Sequence, residues 1–298
     1  MKFENIQNGK FEIPPQSLVT LTFMGDITEL QYMSSYNHQA RTLKISNEEY
    51  VEVSTGEVKR YEDKRAATRG EAENSLRKTM RHIRQLIQTN ITDVKNVRWV
   101  TLTYKENMTD PKKLYDDFRK FNQKFTYHLK ECGIKKPEYI CVAEPQKRGA
   151  WHLHVLFIWE EKAPYLDNAG FSKMWGHGFT KIKSLKSGDS IASYLQCYLT
   201  DLDIPDEIAG YFPDSLKETG ASSGKKRVVK GARLHLYPAG FNILRHSKNI
   251  KKPLKKTVRI EKAMEILSGS ELSYQKTFKM FDEKGFESIV DKREYKGS

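Results

Sequence analysis

Trp151-His152-Leu153-His154-Val155 sets two imidazoles at alternate positions of an apolar, extended-looking stretch. Side chains alternate faces along a strand, so His152 and His154 point the same way and Leu153 points opposite. Such a pair on rigid backbone can hold a metal ion. Taken alone it is equally read as two histidines satisfied by hydrogen bonds. A nearby carboxylate bears on the choice. If Pro145-Gln146-Lys147-Arg148-Gly149 is a five-residue hairpin loop, Glu144 pairs opposite Ala150. Glu144 then shares the face of His152 and His154, diagonal to His152. A slip of one residue would turn it to the other face, and read otherwise it is a solvent-facing residue at a strand end. Two imidazoles and one carboxylate with open positions suit Mn²⁺ or Mg²⁺ acting on phosphate, and they also suit zinc.

Ser193-Tyr194-Leu195-Gln196-Cys197-Tyr198 carries the second candidate group. On a helix, Tyr194 and Tyr198 lie one turn apart on neighbouring positions of one face. An isolated pair of this kind is otherwise two core aromatics. A phenol has an ordinary pKa near 10 and is a weak nucleophile at neutral pH. A divalent cation on a phosphate withdraws charge and stabilises its transition state. Attack by the phenol forms a covalent phosphate ester that keeps the bond energy, so a cut strand can be resealed. A second tyrosine one turn away can attack the next junction while the first still holds its ester.

The elements that position these groups follow from periodicity. Residues 18–23 and 48–60 read as extended, with a turn at Thr55-Gly56. Leu76, Met80, Ile83 and Ile87 make one apolar stripe, which predicts a helix over 70–87 with Arg77, Lys78, Arg81 and Arg84 off the stripe. Residues 99–104 (WVTLTY) predict a strand. Asp110-Pro111 reads as an N-cap and first helical residue. Leu114, Phe118, Phe121, Phe125 and Leu129 continue that helix, and Gly133 suits its C-terminal cap. Strands are expected over 138–144 and 151–159, a short helix near 171–175 and a short strand near 179–182. A helix over 190–202 carries Ile191, Leu195, Leu199 and Leu202 as its core stripe. Residues 261–284 are expected to form two short helices. This order predicts an α+β fold, a mainly antiparallel sheet with helices on its faces.

The net charge of +13 is concentrated rather than spread. Residues 224–260 hold twelve Lys and Arg and no Asp or Glu, nearly the whole excess. Lys225, Lys226, Arg227, Lys230, Arg233, Lys251, Lys252, Lys255 and Lys256 are its candidate phosphate contacts, because a polyanion is the natural partner of such a run. Leu234, Leu236, Tyr237, Phe241, Ile243 and Leu244 within it argue against a wholly disordered tail. The longest apolar run, 155–159, is far too short to cross a bilayer, and no secretory signal is expected, so no membrane partner is foreseen. Cys132, Cys141 and Cys197 show no metal-ligand spacing and suit a reducing cytoplasm.

Three segments together resemble the HUH endonucleases, and within them the rolling-circle replication initiators (Rep proteins) of bacterial plasmids, phages and related mobile elements. WVTLTY at 99–104 resembles the family's first motif strand, AEPQKRGAWHLHVLF at 143–157 its metal strand pair, and YLQCYL at 194–199 its tyrosine helix in the two-tyrosine (YxxxY) form. The basic 230–253 stretch also has the look of this group. The family often places a lysine three residues after the first tyrosine, where this chain has Cys197. The resemblance implies a five-stranded antiparallel sheet with the histidines on its central strand, an RRM-like arrangement. It implies His152 and His154 as ligands of Mn²⁺ or Mg²⁺ with Glu144 as a third, and Tyr194 and Tyr198 as nucleophiles. It further implies a 5′-phosphotyrosine intermediate on single-stranded origin DNA, and a free 3′-hydroxyl for a host polymerase working with a host helicase. No Walker A motif is present in the chain itself. The expected organisation is a β-rich extension over 1–65, the endonuclease domain over 66–210, and a basic DNA-binding segment with C-terminal helices over 211–298. The motifs leave open a mobilisation relaxase or a single-strand transposase with the same chemistry, or a non-catalytic nucleic-acid-binding protein.

Overall fold

The computed structural model describes residues 2–6, 11–35, 42–46, 48–53, 55–60, 73–146, 149–185, 202–204, 216–219, 226–229, 236–238, 240–281 and 285–297. Chain contacts divide it into two compact units rather than three consecutive segments. Met1–Arg65 joins Pro253–Ser298 in one unit, and Ala66–Lys252 forms the other.

The first unit contains β1 (Lys2–Ile6), β2 (Leu18–Met24), β3 (Ile27–Met33), β4 (Thr42–Lys44), β5 (Glu49–Glu52) and β6 (Val58–Arg60). The second begins with α1 (Glu73–Asn90) and a 3-10 turn at Val94–Asn96. It continues through β7 (Val97–Thr103), α2 (Pro111–Glu131), β8 (Glu138–Pro145), β9 (Trp151–Ile158), α3 (Asn168–Trp175) and β10 (Thr180–Ser184). Short strands β11 (Leu202–Ile204), β12 (Leu216–Thr219), β13 (Lys226–Val229) and β14 (Leu244–His246) complete it. The chain then returns to the first unit with β15 (Leu254–Arg259), a short helix α4 (Ile260–Ile266), β16 (Glu271–Phe281) and β17 (Glu287–Lys296).

In the second unit β10, β7, β9, β8 and β14 form a five-stranded sheet in that order, every neighbouring pair antiparallel. The strand bearing both histidines, β9, is therefore the central one. α2 covers one face of this sheet. Its start is fixed by Asp110, whose carboxylate accepts from the Lys112 and Lys113 amides, with Pro111 following. Its end is fixed by Gly133 at φ 68°, after which the Ile134 amide donates to the Leu129 carbonyl at 2.9 Å. The stripe Leu114–Phe118–Phe121–Phe125–Leu129 is fully buried, each side chain contributing about 1.5–3 kcal/mol through burial. Phe118 meets Tyr139 edge-on at 5.2 Å, Phe125 meets Phe157 at 5.0 Å, and α3 adds Phe171 and Trp175 against Phe121. α1 packs Ile83, Leu86 and Ile87 into the same core. The apolar residues of the basic stretch belong to it too, since Tyr237, Phe241, Ile243 and Leu244 are all buried.

In the first unit, β1-β16-β17-β3-β2-β15 form a six-stranded sheet. α4 lays Ile260, Ala263 and Leu267 on Val19, Leu21, Leu30, Tyr32 and Tyr295. Two helices expected over 261–284 are thus corrected: the described helix ends at Ile266, and Glu271–Phe281 is a long strand. Most of that strand is only partly covered, so its alternation of faces leaves little hydrophobic signal. Leu202, expected at a helix end, instead begins β11. Among the described residues, no helix is long and apolar enough to cross a membrane.

Candidate active site

Register builds the site on one face of the five-stranded sheet. Thr103 of β7 lies opposite His152 of β9, which lies opposite Glu144 of β8. One step along, Lys181 of β10, Thr101, His154 and Val142 make the next row. A third row runs Lys183, Trp99, Leu156 and Ile140. Glu144 faces His152 directly, not Ala150 as its expected register had it. The loop is still five residues long but spans 146–150, closed by the Gln146 amide donating to the Ala150 carbonyl at 2.8 Å. The difference amounts to two residues of pairing, so every side chain keeps its predicted face.

Two of the three candidate ligands touch. His154 Nε2 lies 2.5 Å from Glu144 Oε2, along the diagonal of the strand pair, with both side chains buried. Thr101 Oγ1 is 3.3 Å from the other ring nitrogen, Nδ1. The Trp99 ring meets the imidazole edge-on, with centroids 5.8 Å apart. Burial, reinforced by the positive charge of Lys183, pulls the pKa of His154 down to about 4. The imidazole is therefore neutral at pH 7, with Nε2–H donating to Glu144 and Nδ1 accepting from Thr101. His152 is half-buried between Thr103 and Glu144. Among the described residues, no group of three or more His, Cys, Asp or Glu is already arranged to hold a metal ion.

Aromatic contacts from distant segments hold the hairpin that carries these residues. Trp151 stacks on Phe241 at 4.4 Å, and its indole N–H donates to the Thr109 carbonyl at 3.0 Å. Tyr237 donates its hydroxyl to the Ala143 carbonyl at 3.0 Å. The segment first noticed for its charge thus also clamps the strand before Glu144.

The opposite face holds a second polar cluster that sequence reasoning did not single out. Asp117 of α2 is buried, and accepts from the Tyr104 hydroxyl at 3.1 Å and from Lys113 Nζ at 2.9 Å. His177 Nε2 is 3.7 Å from its other oxygen. Burial pushes the Asp117 carboxyl up, but the hydrogen bonds from Lys113 and Tyr104 and the nearby charges outweigh it and hold the group below its usual range. Burial, with Asp117 adding to it, raises the Tyr104 phenol. The cluster braces the end of β7 against α2 and the 176–178 turn, which gives His177 the structural place expected of it.

Tyr194, Tyr198, Lys225, Lys230 and Arg233 lie outside the described residues. Lys226 and Arg227 sit on β13, opposite Thr219 and Glu218 of β12. Lys251 and Lys252 are exposed in the second unit, whereas Lys255 and Lys256 are exposed on β15 of the first. Residues missed in the sequence are Thr101, Trp99, Lys181 and Lys183. The alternating Phe179-Thr180-Lys181-Ile182-Lys183 carried the signal for the two lysines.

Residues 97–203 match the family model of the replication-associated protein ORF2 group. No curated protein and no solved structure matches the chain. The matched stretch starts at the first residue of β7 and contains Glu144, His152 and His154 with the rows that surround them. It also contains Tyr194 and Tyr198. The match supports a replication-associated (Rep) protein with a DNA partner.

Proposed function

We propose that this chain is a metal-dependent single-strand DNA endonuclease of the HUH type, which nicks and rejoins a replication origin to start rolling-circle replication. The observation that carries the reading is the clustering of Glu144, His152 and His154 on one face of the central strand pair, inside the stretch that matches the replication-associated family. Those three residues would hold a divalent cation, Mn²⁺ or Mg²⁺. Their donor set fits, because His154 is already neutral and Glu144 already lies at its Nε2. Binding would displace the proton the two now share. When bound, the cation supplies polarisation of a phosphate oxygen and relief of the charge that builds there.

The chain's own residues do the rest. Thr101 holds the His154 ring by its Nδ1, which leaves Nε2 aimed at the site. In this reading, Tyr194 or Tyr198 attacks the phosphorus. The new Tyr O–P bond forms as the P–O3′ bond breaks, the phenol proton is lost, and the departing 3′-oxygen takes one up to leave a free hydroxyl. The DNA remains joined to the protein by its 5′-phosphate. Attack by a 3′-hydroxyl reverses the step and reseals the strand. A host polymerase and helicase would act on the products.

The test mixes the chain with single-stranded oligonucleotides tiling its replicon, in Mn²⁺ or EDTA, and resolves the products on a denaturing protein gel. A Mn²⁺-dependent band heavier by a DNA fragment is expected. It should vanish when Tyr194→Phe and Tyr198→Phe are combined, while DNA binding persists. Undiminished adduct in that double variant would remove the tyrosines from the mechanism.

A further inference from the structure

β10 is the outermost described strand beside the candidate site, and its two faces differ sharply. Thr180 is fully buried and Ile182 half-buried against the aromatic core. Phe179, Lys181 and Lys183 point the other way, onto the face of Thr101, Thr103 and the histidines. Phe179 is 64% exposed, an unusual cost for a phenylalanine on rigid backbone. The backbone under it is fixed, because its carbonyl accepts from the Thr103 amide at 3.0 Å and the Thr103 hydroxyl at 2.7 Å. Gly178 beneath it packs so closely on the β7 backbone that no side chain fits there. Neither β10 nor its partner β7 carries an acidic residue. Lys181 pairs with Thr101, which binds His154, and Lys183 lies near enough for its charge to be felt at His154.

We infer that β10 and Phe179 seat the single-stranded DNA that leads to the candidate site, with Phe179 stacking an unpaired base and Lys181 and Lys183 holding neighbouring phosphates. Alternate residues of a strand stand about 6.6 Å apart, a spacing suited to successive phosphates of an extended single strand. A flat exposed ring beside a row of cations is the combination that binds single strands without reading sequence. A duplex keeps its bases stacked and offers Phe179 nothing. The inference rests on the proposed function for its substrate, but it assigns residues that the proposed chemistry does not use.

Binding of a fluorescent thymidine oligonucleotide to the full chain tests it, with Tyr194→Phe and Tyr198→Phe in the background so that no cutting interferes. Phe179→Ala should weaken binding about tenfold with an unchanged salt slope, and Phe179→Trp should restore it. Lys181→Gln with Lys183→Gln should flatten the slope of log affinity against log salt by about 1.4. All of these side chains are exposed, and an unchanged melting temperature shows that each variant folds. Variants that bind like their background would overturn the inference, as would a uridine oligoribonucleotide that binds more tightly than the DNA. If the tyrosine-bearing chain forms the adduct while these variants bind normally, the seat is wrong and the function stands. If the variants weaken binding while the tyrosine-bearing chain never forms an adduct, the seat stands and the nicking function falls.

Discussion

Glu144 reaches past the histidine directly opposite it to bond the one on the diagonal. That choice leaves His154 neutral and buried, and it gives the folded protein a pH signature. The folded pKa of His154 is about 4, against about 6.5 for an exposed imidazole. The unfolded chain therefore binds the extra proton first as pH falls. This contribution to stability is complete above about 6.5 and drains away as pH drops towards 4. In EDTA, wild type should lose about 2 kcal/mol of unfolding free energy between pH 7 and pH 5 from this group alone. A His154→Gln variant should lack that part of the loss, which urea denaturation at the two pH values would measure. Equal losses in both proteins would mean that His154 is not held neutral. At this scale the sequence was informative about face and blind to partner. Alternation alone puts His152, His154 and Glu144 on one side. That Thr101 and Trp99 complete the surroundings of His154 depends on pairing between β7 and β9, which share no local pattern with each other.

Elements succeed or fail here according to how much they bury. α2 was legible from end to end because its cap, its proline and its five-residue apolar stripe all agree with a helix. The β8–β9 hairpin was legible in length, but its register moved by two residues, since the anchors that fix it lie outside it. Trp151 is set by Phe241 and Thr109, and Ala143 by Tyr237. β16 escaped notice because its residues are mostly half-covered and neither period dominates. Gly178 is a tertiary demand of the same kind. A Cβ there would stand 2.6 Å from the Lys105 nitrogen and the Thr103 oxygen. Gly178→Ala should cost about 1–3 kcal/mol, read by chemical denaturation, because backbone rather than a flexible side chain must yield. It should also weaken oligonucleotide binding by tilting Phe179. A fully stable variant would show that the turn can retreat from β7.

At the scale of the molecule, the basic stretch is not one module. Its middle packs into the unit that bears the candidate site, through Tyr237, Phe241 and Ile243, and its end becomes β15 of the other unit. A sequence read from left to right divides naturally into consecutive blocks, and nothing local announces that residue 253 returns to join residue 65. All the candidate ligands, both tyrosines and β10 fall within 66–252. A fragment of those residues should melt cooperatively and form the Mn²⁺-dependent adduct, whereas 1–65 alone should show no cooperative transition by circular dichroism. An unfolded 66–252 fragment would show that the second unit depends on the first.

The discontinuous sheet also sets an order of events at the ribosome. β17 lies between β16 and β3, so the β2–β3 hairpin emerges first and must wait with one edge unpaired until the last strands are made. At bacterial-like elongation rates that interval is roughly ten to forty seconds. The intervening unit can finish folding within it. Nascent chains stalled before residue 287 should therefore present an open sheet edge, the kind of surface that chaperones hold and that aggregates seed from.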